Sequence, residues 1–64
     1  MTTDEIDKLI RMAEVLKVRS NLLASELAKS KRGPQAARAQ NVSTLADNSA
    51  QMLKSILRDI LNET

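Results

Sequence analysis

The only glycine and the only proline of this chain stand side by side, Gly33-Pro34, near the middle of 64 residues. These two residue types interrupt regular structure most strongly, and both halves of the chain are otherwise free of them. In each half, apolar residues recur at helical rather than alternating spacing. The sequence therefore points to two long helices with one break between them.

The spacing predicts a helix over about 3–31, a turn at 32–34 and a second helix over about 35–62. Thr2 and Glu5 fit a capping box, and Asp4 and Glu5 suit the positive end of a helix dipole. Lys29, Lys31 and Arg32 suit the opposite end. Gly33 is expected to take the left-handed conformation that ends a helix, with Pro34 as the first residue of the next. The run Gln35–Gln40 has strong helix propensity. Asn41-Val42-Ser43-Thr44 is the weak stretch, where the second helix would start if it started late. A short link favours antiparallel neighbours. The expected fold is all-α, a single two-helix antiparallel hairpin domain spanning residues 1–64.

Such a hairpin has little to bury. Hydrophobic residues make up 42% of the chain, but none is aromatic, so the side chains with the largest burial areas are missing. With no Cys, no disulfide can reinforce it, and with neither Cys nor His a zinc site is excluded. Small scaffolds in this position commonly oligomerise. The expected partner is accordingly a second copy, another protein, or both, and the hairpin is expected to dimerise into a four-helix bundle.

Placing residues at about 100° per step separates the faces. In the second helix Val42, Leu45, Ala46, Ser49, Ala50, Met52, Leu53, Ile56, Leu57, Ile60 and Leu61 share one side, a sector wider than one helix covers. Its first half is small, with Ala39, Ser43, Ala46, Ser49 and Ala50. In the first helix Ile6, Leu9, Ile10, Ala13, Leu16, Leu23, Ala24, Leu27 and Ala28 are expected to face the second, with Lys17 and Asn21 at the border. Met12, Val15, Val18 and Leu22 form a second apolar set on nearly the opposite side. A lone hairpin leaves those four in water, so they are the expected protein interface.

Few residues suggest chemistry. Without His, Cys or Tyr most acid, base and nucleophile choices near neutral pH are gone, and the chain is not expected to be an enzyme. No cofactor, metal or small-molecule substrate is expected. Asp4, Glu5 and Asp7 read as helix-start electrostatics rather than a cation site, for the sequence lacks a calcium-loop pattern. Ser20 and Ser49, with no base to activate them, are expected to bond back to a carbonyl one turn earlier. The acidic start lacks the basic region of a signal peptide, and no apolar run approaches the roughly 20 residues needed to span a bilayer. A cytoplasmic chain with no membrane partner is the expectation.

The formal net charge is +2, but residues 17–38 carry +5, six cations against Glu26. Lys29, Lys31, Arg32 and Arg38 crowd the turn and are the candidate contact for an anion or nucleic acid. Helix-end electrostatics and solvation of an exposed turn explain the same cluster. No aromatic residue is interleaved to stack on bases.

In length, two-helix layout and a polar central turn, the chain is similar to two groups of small hairpins. One is the Rop-type plasmid regulators, which dimerise into four-helix bundles and bind paired RNA loops. The other is the small co-chaperones that keep type III secretion needle subunits soluble, which the Arg32-Gly33 turn before a Gln/Ala-rich helix start resembles. The first resemblance implies RNA binding through the basic turn, although no aromatic stands near the helix ends. The second implies a subunit of a hetero-complex. Both are likenesses of architecture, and no site residue is carried over. The reading of the residues themselves is a protein–protein interaction module that binds and masks, inhibits or chaperones a partner, acting as a homodimer.

Overall fold

The computed structural model describes residues 3–63, and Thr2 of the expected capping box lies outside them. Helix α1 is Thr3–Lys29 and helix α2 is Gly33–Glu63; they pack against each other as a hairpin. The weak stretch at Asn41–Thr44 does not delay α2, which is continuous from Gly33.

The turn differs from expectation in its chemistry. Lys31, not Gly33, takes the left-handed conformation, with φ at 60°, and Gly33 has no positive φ. The Arg32 N–H donates to the Leu27 carbonyl at 2.9 Å and the Lys31 N–H to the Ala28 carbonyl at 3.1 Å. This pair of bonds is the Schellman motif, with Lys31 in the seat that glycine usually fills. The Ala36 N–H then reaches the Arg32 carbonyl at 2.9 Å, which makes Arg32 the cap of α2. Gly33 is thus the first residue of α2 and Pro34 the second. Pro34 still costs nothing there, because the first four helical N–H groups have no partner within the helix. Ending α1 two residues early brings Leu27 level with Ala36, at the start of the helix–helix seam.

That seam follows one rule along its whole length. In α1 the residues at alternating steps of four and three from Ile6 are Ile10, Ala13, Lys17, Ser20, Ala24 and Leu27. In α2 the same rhythm from Ala36 gives Ala39, Ser43, Ala46, Ala50, Leu53, Leu57 and Ile60. Every one of these is buried or half-buried, and among the other described residues only Asp47 and Ser55 are even half-buried. The two helices therefore pack as an antiparallel coiled coil with a seven-residue repeat. Writing the seam positions as a and d, Ile10 and Ala36 are a, and Ile6 and Ala39 are d.

Small residues dominate the middle of the seam, and the backbones come close as a result. The Ser43 hydroxyl donates to the Lys17 carbonyl of the other helix at 3.0 Å. A side chain with one heavy atom beyond Cβ reaches the opposite main chain only if the helices nearly touch. With this bond, Lys17 pairing Asp47 at 3.0 Å and Lys54 pairing Glu14 at 3.4 Å, the register is fixed. Ser20 stands level with Ser43, Ala24 with Ala39, Ala13 with Ala50 and Ile10 with Leu53.

The seam corrects the expected faces. Leu9, Leu16 and Leu23 were assigned to the α1 side that meets α2, yet they are 40–50% exposed, and Ala28 is exposed as well. Lys17, assigned to the border, sits in the seam. Of the α2 stripe, Val42, Leu45, Ser49, Met52, Ile56 and Leu61 are exposed. The physical reason is size: Ala and Ser allow an approach that a Leu stripe prevents. The serines are also corrected. Ser20 is buried in the seam and Ser49 is exposed, and neither bonds back to a carbonyl; that bond is made by Thr44, to Gln40 at 3.2 Å, and Ser43 bonds across the seam.

Candidate protein-docking face

A two-helix seam has two edges, and here they differ completely. In an antiparallel coiled coil, position e of one helix borders e of the other, and g borders g. Glu14, Asp47 and Lys54 are all at e, so both interhelical ion pairs lie along one edge. All four of the charged side chains are 41–52% exposed. Pairs in that setting contribute about 0.2–1 kcal/mol each, enough to favour a register but not to hold a fold.

Among the described residues the other edge carries no such pairs. Its g positions are Leu9, Leu16 and Leu23 on α1, and Val42, Ser49 and Ile56 on α2. Beside them, at c, stand Met12 on α1 and Leu45 and Met52 on α2, while Arg19 and Glu26 hold the next c positions of α1. All are exposed, Leu45 and Met52 to 64% and 69%. Each helix thus bears a second stripe with the rhythm of the seam, displaced to one side and left open. The two stripes face the same way and form one apolar side, two helices wide.

The sequence-derived interface falls partly on this side. Met12, Val15, Val18 and Leu22 are exposed, at 66%, 51%, 57% and 61%. Met12 belongs to the open stripe, and Val15 and Leu22, at f, widen it around the back of α1. Val18, at b, faces further away. Arg11, Met12, Val15, Leu16 and Arg19 line a shallow, open apolar depression. The two arginines lay apolar stems along it while their charged heads remain hydrated. What sequence reasoning missed is that Leu9, Leu16 and Leu23 belong to this open side rather than to the seam. Two interleaved runs of the same rhythm in each half were the signal, but ranking stripes by hydrophobicity assigns the leucines inward.

The interior is correspondingly thin. No large side chain among the described residues is fully buried, and the buried apolar residues are two Ile and four Ala. Twelve large apolar side chains among the described residues are exposed. The accessible surface is 5041 Å², against about 4,100 Å² expected of a compact monomer of 7.1 kDa. The radius of gyration is 14.8 Å, against about 11 Å for a compact chain of this length.

The basic cluster is at one end, where Arg38, at c, continues the row of the open stripe of α2. Lys29 closes α1, Lys31 holds the left-handed turn, Arg32 caps α2, and Arg38 lies within its second turn; all four are exposed. Among the described residues no group of His, Cys, Asp or Glu is arranged to hold a metal ion, and no helix is long and apolar enough to cross a membrane. Comparison with protein-family models, with curated proteins and with solved structures gives no match.

Proposed function

We propose that this chain is a protein–protein interaction module that acts by docking its open apolar side on other helices. The observation that carries the reading is the pairing of two exposed stripes, Leu9-Met12-Leu16 and Leu45-Met52-Ile56, along the edge opposite the ion pairs. Full burial of one such side chain is worth about 1.5–3 kcal/mol. Covering these six, which are 40–69% exposed, yields several kcal/mol, comparable to the whole stability of a small domain. In this reading the docked form is a four-helix bundle, homodimeric in the free protein. The activity is to bind and mask, inhibit or chaperone a partner in the cytoplasm.

Substituting Leu16 by Glu tests the reading, with solution mass and helicity followed together. Loss of association with helicity retained supports it. An unchanged assembly places the interface elsewhere and removes the proposal.

Two alternatives have their own observations. The exposed cluster at the turn favours an RNA- or DNA-binding regulator; binding would then fall steeply with added salt, and Lys31→Glu with Arg32→Glu would abolish it. The thin interior favours a co-chaperone subunit completed only within a hetero-complex, in which case the free chain would be a weakly helical monomer.

A further inference from the structure

Between Gln35 and Glu63, both at g, the c and g residues along α2 read Arg38, Val42, Leu45, Ser49, Met52, Ile56 and Asp59. Read from either end, the order is a charge, a β-branched aliphatic, a long flexible or branched side chain, and Ser49 at the centre. The two end charges are opposite in sign. A surface with this symmetry is complementary to itself when one copy is turned end for end. Arg38 then meets the partner's Asp59, Val42 meets the partner's Ile56, and Leu45 meets the partner's Met52. Ser49 meets its own copy on the two-fold axis, where its small side chain allows close approach.

We infer that the occupant of the apolar side is a second copy of this chain, bound with the two turns at opposite ends and α2 packed antiparallel on α2. The inference rests on the docking reading above and deepens it by fixing the orientation of the two copies. The alternative two-fold arrangement places both turns at one end and packs α2 on α1. It gathers Lys29, Lys31 and Arg32 of both copies together. It also collects Glu5 and Asp59 of both copies at the far end, with no cation of either stripe among them. Turning one copy over removes both clashes: the two basic turns separate to opposite ends, and Asp59 of each copy lies by the partner's Arg38. The area agrees as well. A standard interface removes about 800 Å² from each partner, close to the excess of this hairpin over a compact monomer.

The chain has no cysteine, so single cysteines report the orientation directly. A disulfide needs Cα atoms about 4.4–6.8 Å apart. In the full-length protein, Ser49→Cys should convert to a covalent dimer on mild oxidation, at concentrations where Ser30→Cys, in the turn, does not. Spin labels on Ser30→Cys should be separated by most of the 51 Å length of the hairpin. Rapid cross-linking of Ser30→Cys instead of Ser49→Cys would overturn the orientation while leaving the docking reading intact. A Ser49→Cys protein that is dimeric by mass but does not cross-link would place the contact on another face. A monomeric, helical protein would overturn the second copy as occupant. Failure of Leu16→Glu to alter any association would remove the docking reading itself.

Discussion

The Ser43 hydroxyl bonds to the Lys17 carbonyl across the seam at 3.0 Å, so the helices approach closely where the chain carries Ser and Ala. Ser43 is 3% exposed. Ser43→Ala should cost about 0.5–1.5 kcal/mol, the usual net value of one hydrogen bond. Ser43→Leu should cost more, about 1–3 kcal/mol, because the added atoms have no room. Urea denaturation checks the order. A stabilised Ser43→Leu protein would contradict the close seam.

The turn predicts two gains from opposite exchanges. Lys31 holds φ at 60°, which costs a side chain with a Cβ roughly 1–2 kcal/mol and glycine nothing. Lys31→Gly should raise stability by about 1 kcal/mol. Gly33 has no positive φ, and a Cβ placed there meets nothing within 4 Å. Gly33→Ala should therefore stabilise α2 by about 0.4–1 kcal/mol. Thermal melts of the two single variants and the double test both; a loss at Lys31→Gly would contradict the turn geometry.

The ion pairs should be weak. Double-mutant cycles on Lys17–Asp47 and Glu14–Lys54 should return about 0.2–1 kcal/mol each, with the pair at 3.0 Å above the pair at 3.4 Å. Added salt should shrink both values. A coupling of several kcal/mol would mean that this edge is covered from water.

Two acidic substitutions separate the seam from the open side. Ala46 is 3% exposed, and Ala46→Asp should unfold the hairpin by burying an unpaired charge. Ile56 is 47% exposed, and Ile56→Asp should leave the hairpin folded while weakening association. Circular dichroism with sedimentation distinguishes the two. Equal unfolding by both would mean that Ile56 is a seam residue.

The sequence made the hairpin legible because Gly33-Pro34 is the only break and both flanks have helical rhythm. It did not reveal which stripe faces inward. Leu9, Leu16 and Leu23 are the more hydrophobic run, while Ser20, Ala24, Ser43 and Ala46 are the better fit for a close helix pair, and periodicity is the same for both. The left-handed residue was misplaced for a related reason: glycine's preference marks Gly33, but the helix register puts the turn at Lys31. The exposed position of Met12, Val15, Val18 and Leu22 was readable, since no two-helix arrangement could bury both α1 stripes.

The most direct test is the solution mass of the natural chain and of Ile56→Asp, measured together across a dilution series with helicity recorded. The account predicts a helical species of twice the 7.1 kDa chain mass for the natural protein, and a smaller species that is still helical for the variant. A natural chain that remains a fully helical monomer at all concentrations would contradict it.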